Sequence, residues 1–476
     1  MKRSLVLYTL LVGVFACLIW YVMQAGKVLK PAATGTWKQT VLQRAVITDN
    51  GIWQQFSHNV KSPLGLLLLQ IIVILLVCKL FGALFTRLRQ PSVVGEMVAG
   101  IFLGPSIMGH YFPGFSDFLF PTATLGNLQF LSQVGLALFM FIIGMELDIE
   151  KLKSKAHNAI VISHASIVFP YFLGVALSYF LYEQFAPANV SFMVFALFMG
   201  IAVSITAFPV LARILQERGL TRTSLGAIVI TCAAFDDVTA WCILASVIAI
   251  AKAGGAAASL LIIAMTLVFV LLMLYVIRPF IRKASEKYNS DQKISKPFVI
   301  LVFLCILISA CITETMGIHA LFGAFLAGVI MPQKAALKSM LMEKIEDVSL
   351  LLLLPLFFAF TGLRTQIGLL NEGNLWGTCA LIIAVAVLGK FGGSSITARL
   401  TGQSWKESLS IGALMNTRGL MELIVLNIGF DLGILSPAMF AMMVIMALST
   451  TFMTGPLLDL IDFFSRNKGR QSLSNG

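Results

Sequence analysis

Two adjacent acids, Asp236 and Asp237, stand near the middle of an apolar stretch that runs from 223 to 251 and carries almost no other charge. A charge at the centre of a membrane helix costs about 2.5–3.5 kcal/mol on an insertion scale, so a pair of acids there calls for a chemical reason. Neighbouring residues on a helix point about 100° apart, which lets one carboxylate face a cavity while the other faces an adjacent helix. The natural division is one ion ligand and one partner for a cationic side chain. Lys390, the only lysine deep in a later apolar stretch, is that partner. Burial disfavours the charged form of both groups and pairing favours it, so such a pair is poised to take up and release protons near physiological pH.

A partly dehydrated cation also needs polar backbone. The stretch 204–209, with Ser204, Thr206 and Pro209, interrupts one apolar span, and its proline frees carbonyls upstream. The stretch 416–419 interrupts another, in the second half of the chain. One interruption in each half matches the broken helices expected around a transporter site. Arg418 and Glu422, spaced i,i+4, are expected to pair on one helix face, a structural role preferred to direct ion binding. Glu96 fits either a cavity-facing or a packing role. His164 and His319 read as hydrogen-bonded core residues.

The elements that carry these residues are membrane helices. Of 476 residues, 58% are hydrophobic and 12% charged, about half the charged share of an ordinary soluble domain. Apolar runs long enough to cross a bilayer lie near 4–24, 63–86, 91–108, 124–145, 156–182, 190–212, 223–251, 257–277, 297–313, 317–332, 346–363, 375–398, 408–430 and 435–458. The first reads as an uncleaved anchor, followed by an external segment as far as 62. The net charge of +12 comes from lysines and arginines scattered through alternate short loops, a topology signal that excludes a nucleic-acid surface and places both termini in the cytoplasm. The seven cysteines lie in apolar stretches without metal-ligand spacing and predict no disulfide framework.

Two internal echoes point to duplication. Gly95-Glu-Met-Val-Ala-Gly-Ile-Phe-Leu-Gly-Pro105 is similar to Gly323-Ala-Phe-Leu-Ala-Gly-Val-Ile-Met-Pro332, and Leu136-Ala-Leu-Phe-Met-Phe-Ile-Ile-Gly144 to Leu354-Pro-Leu-Phe-Phe-Ala-Phe-Thr-Gly362. Each pair is separated by seven spans, so the copies are expected to sit upside down relative to one another, as in secondary transporters. The expected repeats are 63–252 and 297–463, joined by a linker helix over 257–280 and followed by a short cytoplasmic tail, 464–476.

Five motifs add a family resemblance: Pro91-Ser-Val-Val-Gly-Glu96, Phe141-Ile-Ile-Gly-Met-Glu-Leu-Asp148, Ile205-Thr-Ala-Phe-Pro-Val-Leu-Ala-Arg213, Ala234-Phe-Asp-Asp-Val-Thr-Ala-Trp241 and Met415-Asn-Thr-Arg-Gly-Leu-Met-Glu422. Across about 63–463 the chain resembles the second group of the monovalent cation:proton antiporter superfamily, which includes bacterial sodium/proton antiporters and plant cation/proton exchangers. The resemblance implies an all-α, inverted-repeat membrane fold of about thirteen core helices plus the N-terminal one, with two crossing broken helices. It also implies a dimerisation domain, a mobile ion-transporting domain, and hence a homodimer. By position, Asp237 resembles the aspartate that binds the monovalent cation and the proton, and Asp236 the acid paired with the lysine, here Lys390. Thr206 and Arg418 fall at the two helix breaks, with Ser204 beside them. The double aspartate with lysine matches the electrogenic pattern, while the surrounding motifs look closest to the plant-exchanger-like branch, in which potassium is a common substrate.

The expected function is exchange of sodium for protons across a bacterial inner membrane, or alternatively potassium/proton exchange or potassium efflux by a protein of the same fold, with no cofactor, no enzymatic activity and no nucleic-acid partner. An intramembrane aspartyl protease needs two acids facing each other, usually from different helices, whereas these are neighbours on one. A sensor or scaffold explains neither the buried lysine nor the paired helix breaks.

Overall fold

The computed structural model describes residues 62–474 apart from the short stretches 89, 147–155, 221–222, 253–255, 289–294 and 372–374. The span expected at 4–24 and the segment after it, to 61, lie outside the described residues. Among those described there is no β-strand. Ten helices are long and apolar enough to cross a membrane, or eleven when the bent pair Trp405–Met415 and Leu420–Asp431 is one span, and two shorter apolar helices join them.

The first half holds α1 (Pro63–Arg87), α2 (Ser92–Leu103), α3 (Leu125–Glu146), α4 (Ala156–Phe185), α5 (Phe192–Ser204), α6 (Phe208–Glu217) and α7 (Ser224–Lys252). Next, α8 (Ala256–Leu272) runs through a π turn, Met273–Ile277, into α9 (Arg278–Tyr288). The second half holds α10 (Lys296–Thr315), α11 (Ala320–Val329) and α12 (Leu354–Arg364), then α13 (Leu375–Val387) and α14 (Gly393–Leu400) joined by a π turn, Leu388–Gly392. It ends with α15 (Trp405–Met415), α16 (Leu420–Asp431) and α17 (Pro437–Ser474).

Helix starts follow local chemistry. Ser62 caps α1 through a bond from the Gly65 amide at 3.2 Å, with Pro63 in the first turn, and Ser404 and Glu407 form a reciprocal capping box on α15. In lipid, apolar character alone cannot choose the inward face, so small and polar side chains choose it. On α1 the buried row is Leu66, Gln70, Ile74, Cys78 and Gly82, while Leu64, Leu68, Ile72, Leu76, Leu80 and Leu84 face outward.

The two echoing segments pack reciprocally. A Cβ on Gly328 of α11 would stand 2.9 Å from the Cα of Gly144 of α3, and one on Gly100 of α2 would stand 2.9 Å from the carbonyl carbon of Phe358 of α12. A Cβ on Gly362 would collide with the backbone of Gly100. Each copy of the first motif therefore crosses the other half's copy of the second, and only glycine lets these backbones approach so closely. A similar contact sets Gly95 against Phe81 of α1 and Gly323 against Ser309 of α10, at matching positions in the two halves.

Three expectations are corrected in detail. The span at 317–332 contains a helix only over Ala320–Val329: Gly317 and His319 both take positive φ, 84° and 123°, and His319 caps α11 instead of lying inside a helix. The 257–277 span continues through its π turn to Tyr288. The final helix, expected at 435–458, runs on to Ser474.

Candidate functional site

The span expected at 190–212 is broken, as its Ser-Ile-Thr-Ala-Phe-Pro sequence suggests. Ile205 and Ala207 are extended, with φ,ψ of −70°,139° and −91°,93°, between α5 and α6. Pro209 falls in the first turn of α6, where its missing N–H costs nothing. The second break separates α15 from α16, with Asn416 ending one helix and Gly419, at φ 138°, starting the next. The two breaks meet: the Ala207 amide donates to the Thr417 carbonyl at 3.1 Å, and the Thr206 hydroxyl lies 3.3 Å from the Met415 carbonyl.

Beside this crossing, α7 presents its two acids, each only 1% exposed. Asp236 is saturated with donors. One carboxylate oxygen accepts from Ser163 at 2.6 Å; the other accepts from Ser166 at 3.0 Å, Thr206 at 2.8 Å and Lys390 Nζ at 3.0 Å. Asp237 has the opposite environment: no side chain among the described residues donates to either carboxylate oxygen, and the Phe208 backbone amide at the start of α6 interacts with it. Asn416 is also buried with both amide atoms unpartnered. Adjacent sequence positions thus yield one acid locked by its neighbours and one unengaged.

Lys390 is fully buried in the π turn between α13 and α14 and donates both to Asp236 and to the backbone carbonyl of Ser204. Arg418, also fully buried, donates to the Ala202 carbonyl at 3.1 Å, to the Val203 carbonyl, and to Glu422 at 3.2 Å. The carbonyls at the C-terminal end of α5 are therefore occupied by two cationic side chains of the protein itself, which complement the negative end of that half-helix. Freed carbonyls at this break were expected to serve a transported cation; three of them serve Arg418 and Lys390 instead. Ser204 takes part through its carbonyl, its hydroxyl turning back to Ile201 at 3.0 Å.

With all five side chains ionised, the cluster of Asp236, Asp237, Lys390, Arg418 and Glu422 carries one net negative charge, and the unengaged carboxylate is Asp237. A buried carboxylate without partners is costly as a bare anion. One proton or one monovalent cation removes that cost, and hard oxygens of the carboxylate and amide kind suit an alkali cation. The Cγ of Glu96 lies beside Gly82 of α1.

Sequence reasoning missed Ser163 and Ser166. Their signal was present: two serines three residues apart, hence on one face of α4, inside an apolar span.

Residues 72–461 match the transmembrane sodium/hydrogen exchanger family. The chain belongs to that family. Its members are transporters. Among relatives, the Na(+)/H(+) antiporter NhaS4 of Synechocystis is 43% identical over 398 residues, covering 83% of this chain and 97% of that protein. Cation/H(+) antiporter 17 of Arabidopsis thaliana is 40% identical over 86% of this chain, and K(+)/H(+) antiporter 1 of Saccharomyces cerevisiae 35% identical over 88%. The matches cover only 50% and 49% of those two proteins, so the chain spans about half the length of its plant and yeast relatives. The fold is that of the sodium proton antiporter MjNhaP1 of Methanocaldococcus jannaschii: TM-score 0.62 at 14% identity, covering 83% of this chain and 96% of that one. The exchanger-family chain is thus an all-α, multi-pass membrane protein of inverted-repeat architecture.

Proposed function

We propose that this family member is a secondary antiporter that exchanges a monovalent cation, sodium in the first instance, for protons by alternating access, with Asp237 as the ligand that cation and proton share. The single observation that carries this reading is the contrast on α7: Asp236 held by three hydroxyls and a lysine, Asp237 buried with none. The one unengaged carboxylate can take either ion, and competition between them is the basis of exchange. When a cation binds, Asp236 is released from Lys390, whose proton leaves, so two protons move against one cation and the cycle carries charge. Arg418 and Glu422 brace the crossing rather than bind the ion.

The remaining assignments belong to the same proposal. The repeats are 63–252 and 297–463, the site lies between them near the midplane, and the protein works as a homodimer in a bacterial inner membrane. Both termini face the cytoplasm, with the basic loops. The names of the relatives support sodium and potassium alike: the cyanobacterial protein is a sodium antiporter, the yeast protein a potassium antiporter. Potassium/proton exchange is accordingly the alternative reading. Proton-gradient dequenching in reconstituted vesicles, with sodium, lithium and potassium tested separately, distinguishes them. Dequenching by sodium is expected; dequenching by potassium alone selects the alternative, and a response to none overturns antiport.

A further inference from the structure

Away from the paired aspartates, a cavity of about 580 Å³ opens where the helix joining the two halves leaves its apolar stretch. Its rim carries Arg278, Arg282 and Lys334, and no carboxylate lines it; its walls include Tyr275, Ile330 and Pro332. The placement follows from the sequence. From Leu260 onward the helix exposes a continuous apolar surface, including Leu260, Leu261, Leu267, Val268, Leu271 and Leu272. At Arg278 it turns basic, the transition expected where a helix leaves the hydrocarbon for the headgroup layer. The π turn Met273–Ile277 adds one residue just before this boundary, which rotates everything after it by about 100° and turns Arg278 and Arg282 onto the cavity. Lys334 comes from the opposite wall, beyond the C-terminal end of α11.

Two arginines spaced i,i+4 repel one another on an isolated helix. Arg282 pairs with Glu286 at 3.6 Å, but the side chains of that pair are 75% and 50% exposed, too solvated to neutralise the rim. Arg278 and Lys334 have no ion pair among the described residues. A cationic rim over an apolar wall, with a tyrosine at the level of the membrane interface, complements an amphiphile with a negative head. Basic pockets between membrane helices on the side of the positively charged loops are the recurrent form of sites for anionic lipids.

We propose that this cavity is the headgroup site of an anionic glycerophospholipid, the phosphate held by Arg278, Arg282 and Lys334 and the acyl chains descending along Tyr275 and the apolar wall. Arginine pairs with phosphate oxygens through its planar fork, and Lys334 contributes a point charge from the facing wall. A lipid held there ties the joining helix to α11, which belongs to the second half and packs against α3 of the first. Binding here is independent of whether the aspartate pair exchanges ions.

Native mass spectrometry of the full-length protein, mixed with phosphatidylglycerol or phosphatidylcholine of the same chain length, tests this without any transport readout. The parent is expected to retain phosphatidylglycerol at least tenfold over phosphatidylcholine. The triple variant Arg278→Gln, Arg282→Gln, Lys334→Gln should lose that preference, and Lys334→Glu alone should reduce it. A control of equal charge loss outside the cavity, Lys283→Gln, Lys296→Gln, Lys344→Gln, should keep it. Equal retention of the two lipids by the parent, or equal loss in the control and the triple variant, overturns the proposal. So does inorganic phosphate at millimolar concentration displacing the lipid, because the site then recognises a free anion.

Discussion

Arg418 offers a direct test of how the two broken helices are held together. Its guanidinium is fully buried and donates to the carbonyls of Ala202 and Val203 and to Glu422 at 3.2 Å, an acid that is itself fully buried. Arg418→Met removes the charge and every donor while keeping an unbranched chain. It leaves a buried glutamate uncompensated, which costs about 3–5 kcal/mol. Two carbonyls at the end of α5 lose partners as well, each worth about 1–3 kcal/mol unless the break relaxes. A loss of at least about 3 kcal/mol is therefore expected. Adding Glu422→Gln removes the orphaned charge, so the double variant should recover the part due to Glu422 while the carbonyl part remains. The assay is thermal unfolding of purified protein in detergent by intrinsic fluorescence, for the parent, both single variants and the double, with the coupling read from the cycle. If Arg418→Met melts with the parent, or if adding Glu422→Gln makes it worse, the guanidinium does not brace the crossing and the structural role assigned to it is wrong.

Three further outcomes are expected. Ser163→Ala and Ser166→Ala each remove a hydroxyl bond to a carboxylate, worth about 1.5–3 kcal/mol, and should change the sodium KM or the melting temperature; both variants matching the parent in both measurements would mean the hydroxyls do not position Asp236. Gly328→Val and Gly362→Val force a branched side chain into backbone of the facing half and should abolish folded expression, judged by monodisperse elution, while Gly114→Val, which meets nothing within 4 Å, should not. Exchange should respond to an imposed membrane potential: one charge per cycle across 100 mV is worth about 2.3 kcal/mol, roughly fifty-fold in the accumulation ratio, and Lys390→Gln should lose that response. A parent indifferent to voltage with proton coupling intact would make exchange electroneutral.

Much of the fold was legible because the bilayer leaves few choices: each apolar interval expected from 63 onward contains helix. The reciprocal packing of the echoing motifs was legible through Gly95, Gly144, Gly323 and Gly362, since close backbone crossings admit only one residue type. What escaped was local. The unwinding at 317–319 depends on positive φ at Gly317 and at His319, the latter not a glycine, and hydropathy does not register either. Asp236, Asp237 and Lys390 stood out by their charge, which is expensive in an apolar span. Ser163 and Ser166 did not, because serine is common in membrane helices as a small packing residue and usually bonds to its own helix. The partition of the break carbonyls between Lys390 and Arg418 is a three-dimensional fact: it depends on which helix end faces which side chain, and no spacing along the chain encodes that.

The most direct test of the central claim is cation-dependent proton flux through Asp237→Asn in reconstituted vesicles. Asparagine keeps the size of the side chain and removes the charge that cation and proton would share. The protein should fold, since Asp237 makes no hydrogen bond that the fold requires, and sodium-driven proton movement should fall to the level of protein-free vesicles. Lithium and potassium should do no better. Exchange at a substantial fraction of the parent rate in a monodisperse Asp237→Asn protein would contradict the account, because the ion would then be carried by another group.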